Sequence, residues 1–147
     1  MLRRLLRRCL RASPWIYHLH CGGCNGCDIE FAACLAPRFD IERFGFLLVT
    51  SPRHADILVV TGPVSKQYAP MVKRVYEQVP KPKVVVAIGA CACSGGIWHE
   101  EDPENYAIVG SVDQLIPVDI YVPGCPPKPE AIINGLIKAA LQLAEAR

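Results

Sequence analysis

Four cysteines in three short stretches carry the chemistry open to this sequence. Cys24-Asn25-Gly26-Cys27 sets two thiols three positions apart on a glycine-bearing turn, inside the dense run His20-Cys21-Gly22-Gly23-Cys24-Asn25-Gly26-Cys27-Asp28. Small residues let the backbone wrap closely around an inorganic body, so this turn reads as half of a metal site. Two later stretches answer it: Gly89-Ala90-Cys91-Ala92-Cys93-Ser94-Gly95-Gly96 and Val122-Pro123-Gly124-Cys125-Pro126-Pro127. Each sets a cysteine beside glycine just after an apolar run. Together the three stretches read as one site of four thiolates, Cys24, Cys27, Cys91 and Cys125.

The elements that must position these turns follow from hydropathy. Residues 15–20 are aromatic and β-compatible and end at Gly22-Gly23, which reads as a first strand. Residues 44–49, 56–61 and 83–89 are continuous runs of Val, Ile and Leu, too apolar to be half-exposed, and predict strands covered on both faces and hence a parallel sheet. Residues 118–122 form a further apolar strand. Asp28 suits a helix N-cap, with Ile29, Phe31, Ala32 and Leu35 buried and Pro37 as the stop. Met71, Val72, Val75, Tyr76 and Val79 recur at helical spacing, with Pro70 in or near the first turn and Pro80-Lys81-Pro82 beyond the end. Pro129 and Glu130 suit the start of a last helix whose apolar face is Ile132, Ile133, Leu136, Ile137, Ala140 and Leu141. Alternating strands and helices predict an α/β layered fold with right-handed crossovers. In such sheets ligands sit beyond the carboxyl ends of the strands, and all three cysteine turns follow directly after a strand.

Composition sets the frame. With 147 residues, 51% of them hydrophobic and 20% charged, the chain predicts a basic N-terminal segment over residues 1–12 and one α/β domain over residues 13–147. A net charge of +2, with the basic residues crowded at the N-terminus, argues against nucleic acid as a partner. Eight clustered cysteines without a secretory signal favour metal ligation over a disulfide framework. The twin arginines of the first segment (Arg3, Arg4, Arg7, Arg8) lack the apolar run of about 7 to 15 residues that export requires. Alternating with leucines, they give an amphipathic face suited to an anionic membrane surface or a partner. No stretch approaches the ~18 apolar residues of a spanning helix, so membrane contact is expected to be peripheral.

A four-thiolate site can hold structural zinc or an iron-sulfur cluster. Zinc sites of this kind usually come as two close C-x-x-C knuckles in small loop-rich folds, and this chain has one knuckle and two solitary cysteines. Cys125 is followed by Pro126, as the last cysteine of bacterial ferredoxin runs is followed by proline. A cubane also needs more room than one ion, which suits the glycines at 89, 95, 96 and 124 where the wall must stay thin. Spacing favours iron-sulfur and leaves a structural zinc-binding interaction module as the reading from another class.

The stretches Cys24-Asn25-Gly26-Cys27-Asp28-Ile29-Glu30, Gly89-Ala90-Cys91-Ala92 with Ser94-Gly95-Gly96, and Val122-Pro123-Gly124-Cys125-Pro126-Pro127-Lys128-Pro129-Glu130-Ala131 resemble the motifs of the small subunit of membrane-bound, energy-converting NiFe hydrogenases. That family is related to the terminal-cluster subunit of respiratory complex I. The resemblance implies a flavodoxin-like three-layer fold, with one 4Fe-4S cluster held by Cys24, Cys27, Cys91 and Cys125. It implies an electron-transfer role in a multisubunit oxidoreductase, without catalysis by this chain. The partners would be a NiFe catalytic large subunit, a ferredoxin-like cluster subunit and membrane subunits, on the cytoplasmic side of the cell membrane. Complex I subunits of this type have two adjacent cysteines where this chain has Cys24 and Cys27 separated. Relatives that reduce quinone or sulfur species share the domain.

The other candidates carry blander readings. Cys9 and Cys34 read as small hydrophobes. Spacing alone leaves a set with Cys21 in place of Cys24 open, and Cys93 lies near a proposed ligand; the family pattern favours Cys24. Glu30, expected in the first helical turn, is either a carboxylate favoured by the helix dipole or a proton relay at a subunit interface. His18, His54 and His99 read as surface or core histidines, and His20 is placed to hydrogen-bond a cluster sulfide.

Overall fold

The computed structural model describes residues 13–98 and 106–146, so the basic segment over residues 1–12, with Cys9, and also His99 lie outside the described residues. In chain order the elements are β1 (Trp15–His20), α1 (Gly26–Leu35), β2 (Leu47–Leu48), β3 (Ile57–Thr61), β4 (Val64–Ser65), α2 (Ala69–Gln78), β5 (Val84–Ile88), α3 (Ala90–Ser94), β6 (Ile108–Gly110), β7 (Ile120–Val122) and α4 (Pro129–Ala146). Five strands form one sheet in the order β2-β1-β3-β5-β7, every neighbouring pair parallel. The order reverses between β1 and β3, the switch point at which flavodoxin-like sheets leave a crevice.

The central strands β3 and β5 are buried at every position, as their unbroken Ile-Val-Leu runs require. On one face Ile16, Ile57, Val59, Val86 and Ile88 meet α1 through Phe31 and α4 through Ile132, Leu136 and Leu143. On the other, Leu58, Val60, Val85 and Ala87 meet α2 through Val72 and Val75, and α3 through Ala92. The result is the three-layer α/β fold with a parallel sheet. Pro70 falls in the first turn of α2, where a missing N–H costs nothing, and Pro129 opens α4 with Glu130 in its first turn.

Four local expectations change. Of the α1 residues expected to be buried only Phe31 is, with Cys34 beside it; Ile29 and Ala32 are exposed and Leu35 is half-buried, because α1 covers the sheet with one face only. Residues 44–49 do not form a strand covered on both faces: Ile41–Phe44 is a 3-10 turn, and β2 is a two-residue edge strand with Leu47 and Leu48 exposed. Only Phe46 of that run is fully buried, with Phe44 and Val49 packed against the core's edge, because the run lies at the sheet margin with one neighbour. A short antiparallel pair, β4 with β6, appears that hydropathy did not announce. Finally, α1 begins at Gly26 and not beyond Asp28; Asn25 stands at its N-cap in the left-handed region (φ 66°) without a side-chain cap.

Candidate metal centre

Each cysteine turn is fixed by backbone hydrogen bonds that continue from a strand. After β1, the Cys21 N–H donates to the Thr61 carbonyl (2.9 Å), and Cys21 accepts in turn from the Ser65 N–H (3.2 Å). The Ile29 N–H then donates to the Asn25 carbonyl (3.0 Å), which winds the chain into α1 and sets Cys27 in its first turn. After β5, the Gly89 N–H donates to the Val122 carbonyl (2.8 Å) and the Ala90 N–H to the Gly124 carbonyl (2.7 Å). These two bonds tie the turn carrying Cys91 to the turn carrying Cys125.

Cys24, Cys27, Cys91 and Cys125 all line one cavity of about 150 Å³ at the carboxyl ends of the strands, together with Gly23, Gly26, Asp28, Gly62, Ala90, Gly124 and Pro126. Cys24 and Cys125 are exposed, whereas Cys27 and Cys91 are half-buried. Burial first, and then the neighbouring Cys91, push the Cys27 thiol up to about 11. Burial, then Cys125 and Cys24, raise the Cys91 thiol as well. The mutual effect places the thiols within electrostatic reach of one another. A cationic body bound among them would release the protons that burial retains.

The residues fit an iron-sulfur cluster on two counts. The donors are soft thiols, and the wall between Cys27 and β5 is cut back to backbone at Gly89. A Cβ on Gly89 (φ +93°) would sit 2.4 Å from the Cys27 Sγ, so no other residue fits there without displacing that thiol. Among the described residues no three His, Cys, Asp or Glu side chains converge closely enough to share one metal ion. The glycines expected to thin the wall divide by role: Gly96 also backs a thiol, that of Cys91, whereas Gly124 packs on Pro127 and Gly95 caps α3.

The remaining candidates lie away from the cavity. Cys21 is fully buried on the α2 side of the sheet, its thiol pushed up to about 12 by burial and then by Asp28. The Cys93 thiol donates to the Ala87 carbonyl (3.5 Å) and packs on the same side. Cys34 lies in the core between α1 and α4, donating to the Glu30 carbonyl (3.2 Å). Glu30 is half-buried and does not line the cavity, and with α1 starting at Gly26 it stands beyond the first turn. His20 does not line the cavity either; its Nδ1 pairs with Asp28 Oδ2 at 2.8 Å. Asp28 is the residue that sequence reasoning misjudged. It is no N-cap, but accepts hydrogen bonds from β1 and β3 at the cavity floor. A larger cavity of about 510 Å³ opens beside Lys81, Lys83 and Asp119 at the amino end of β5 and contains no cysteine.

Residues 24–139, which include all four cavity cysteines, match the family described as NADH ubiquinone oxidoreductase, 20 Kd subunit. A probable membrane-bound hydrogenase subunit, mbhJ of Pyrococcus furiosus, is 52% identical over 145 residues, spanning 97% of this chain and 84% of that protein. An NADH-quinone oxidoreductase subunit of Citrifermentans bemidjiense is 45% identical, over 91% of this chain and 73% of the relative. Among solved structures, an archaeal membrane-bound sulfane sulfur reductase superposes with a TM-score of 0.74 and 36% identity, over 96% of this chain and 76% of that one. An NAD+-reducing NiFe-hydrogenase, with a TM-score of 0.62 at 23% identity, shares the fold. Iron-sulfur binding is typical of the family. This chain belongs to the NADH ubiquinone oxidoreductase 20 Kd subunit family, whose members similar to it are subunits of membrane-bound hydrogenase and of NADH-quinone oxidoreductase complexes.

Proposed function

We propose that the chain is the electron-transfer subunit of a membrane-bound NiFe hydrogenase. Cys24, Cys27, Cys91 and Cys125 hold one 4Fe-4S cluster between ferredoxin-linked clusters and a catalytic large subunit. The observation that carries this reading is the convergence of four cysteines, from three turns far apart in sequence, on one cavity. When bound, the cluster supplies one-electron storage and transfer. The chain itself supplies soft ligands and a wall that admits the body at Gly89. Its exposed rim at Cys24 and Cys125 is the side open to a partner. Proton reduction or hydrogen oxidation then takes place on that partner, with this chain as conductor.

No helix of the described residues is long and apolar enough to cross a membrane. Attachment through membrane subunits of the same complex, peripherally on the cytoplasmic side, agrees with that. A second reading keeps the cluster and changes the acceptor: the resemblance to the sulfane sulfur reductase and to NADH-quinone oxidoreductase subunits favours an equivalent role in a sulfur- or quinone-reducing complex.

Metal analysis with visible and EPR spectroscopy of the anaerobically purified chain in its complex tests the proposal. About four more iron and four more sulfide per chain in the wild-type complex than in one carrying Cys125→Ser, with correspondingly more absorbance that dithionite bleaches, is the expected result. Equal iron in the two complexes, with one zinc per chain that Cys125→Ser loses, would replace it with the structural zinc module. Hydrogen evolution against sulfur or quinone reduction by the same complex separates the two acceptors.

A further inference from the structure

The sheet and the first helix meet at one carboxylate. Asp28 Oδ1 lies 2.5 Å from the donating Thr61 Oγ1 and 2.9 Å from His18 Nε2, and Asp28 Oδ2 lies 2.8 Å from His20 Nδ1. His18 and His20 are two apart on β1 and so point to the same face, that of α1. His20 is in register with Thr61 on β3. Phe31, one turn along α1 from Asp28, stacks on the His18 ring at 4.9 Å between centroids. Thr61 is 1% exposed. The arrangement is thus a built one, and Asp28 also lines the cysteine cavity, next in sequence to Cys27.

A carboxylate is not needed there to cap the helix, since α1 starts two residues earlier and its first turn already carries the positive end of the dipole. That dipole end points toward the cavity and favours the electron-rich state of whatever the thiols hold. A negative charge fixed on the cavity floor opposes it. Asp28 is half-buried and lines the cavity itself, so its charge is less screened than one in open water.

We propose that Asp28 is a positioning residue that sets the reduction potential: held by Thr61, His18 and His20 at the floor of the cysteine cavity, its charge keeps the cluster harder to reduce. The inference rests on the cluster reading above. The Asp28 charge disfavours the added electron, so removing it makes reduction easier. Thr61 matters differently: its hydroxyl donates to the carboxylate and partly offsets the charge, so losing it leaves that charge less compensated.

The test is an EPR-monitored redox titration of the isolated complex carrying variant chains, with the signal of this cluster assigned by its loss in Cys125→Ser. Asp28→Asn keeps the shape and removes the charge. It is expected to favour the reduced state about tenfold, which for a one-electron couple is a positive shift of about 59 mV. Asp28→Glu is expected to return most of the shift, and Thr61→Val to move the midpoint down or leave it in place. A merely structural Asp28 would lower iron content and melting temperature in Asp28→Asn and Thr61→Val alike. An Asp28→Asn midpoint equal to wild type, or an upward shift of the same size in Thr61→Val, overturns the inference. A wild-type complex with no signal that depends on Cys125 would instead overturn the cluster reading beneath it.

Discussion

Gly89 and Cys27 are in contact across the cavity wall, backbone against thiol: the Cβ that any other residue would carry at position 89 would stand 2.4 Å from the Cys27 Sγ. The two lie on different elements, the end of β5 and the first turn of α1, and the φ of +93° at Gly89 disfavours a side chain in its own right. Gly89→Ala is therefore expected to displace Cys27 and lower iron per chain several-fold, while β3 and β5 remain formed. Iron content with far-UV circular dichroism checks it. Wild-type iron in Gly89→Ala would mean that the Cys27 thiol is not held where the cluster needs it.

Ligand identity is tested by exchange of donor softness. Cys24→Ser, Cys27→Ser, Cys91→Ser and Cys125→Ser are each expected to lose most of the cluster, because an alkoxide is a hard donor in a site selected for soft ones. Cys34→Ser and Cys93→Ser, whose thiols serve the core, are expected to retain it. Cys21→Ser separates the alternatives that spacing left open: cluster loss there, with iron kept in Cys24→Ser, would exchange the two residues.

Much of this was legible in the sequence for one reason. The central strands β3 and β5 are covered on both faces, so their runs of Val, Ile and Leu are unambiguous, and a cysteine directly after such a run has to lie at the sheet's carboxyl end. Leu47 and Leu48 deceived, because an edge strand with one neighbour leaves apolar side chains exposed, and hydropathy does not record neighbours. Asp28 deceived in another way. Its type and place suit an N-cap, but its partners, His18, His20 and Thr61, come from two strands, and Thr61 is 33 residues away. The pairing of β4 with β6 was hidden because each strand is only two or three residues long.

Two buried thiols outside the cavity give a pH dependence. Burial pushes Cys21 up to about 12 and Cys34 up to about 11, from an ordinary value of 9.0. Each holds its proton in the folded chain at a pH where the unfolded chain has lost it. Stability is therefore full below about pH 9 and declines as pH rises toward 11 or 12, since the folded state binds more protons across that window. Urea titrations at pH 8 and pH 10 are expected to show the decline, and Cys21→Ala with Cys34→Ala to flatten it. The same slope in the double variant would assign the effect to other groups.

Large apolar side chains stand uncovered next in sequence to the cysteine turns. Ile29 on α1 is 66% exposed, and Ile97, just past the Cys91 turn, is 84% exposed with Trp98 beside it. Exposed apolar side chains on the segments that carry the site's cysteines are expected to form a docking surface. Produced without its complex, the chain is expected to aggregate or to lose its cluster in air, and the catalytic partner to rescue both. Ile29→Asp with Ile97→Asp should then improve solubility alone and abolish co-purification. A monodisperse, air-stable wild-type monomer would remove the obligate partner.

Glu30 separates fold from function because the structure takes away its simplest structural duty. With α1 beginning at Gly26, Glu30 is the fifth helical residue, and the helix dipole is felt mainly in the first turn, where Asp28 stands. Glu30 does not line the cavity, and its charge bears on Cys34, at the seam of α1 and α4. Glu30→Gln is thus expected to change stability by no more than a few tenths of a kcal/mol, as glutamine keeps both shape and helix propensity. Cluster content should also match wild type. The proposed role left for the carboxylate is to move protons at the contact with the catalytic subunit. The loss of a positioned acid or base costs roughly 10²-fold or more in turnover, so hydrogen evolution by the assembled complex should fall by that factor. Glu30→Asp should restore part of it, because a titrating group survives on a shorter stem. Hydrogen evolution measured beside the reduced-cluster spectrum of each variant decides the matter: full activity in Glu30→Gln with the cluster intact would leave Glu30 with no part in proton transfer.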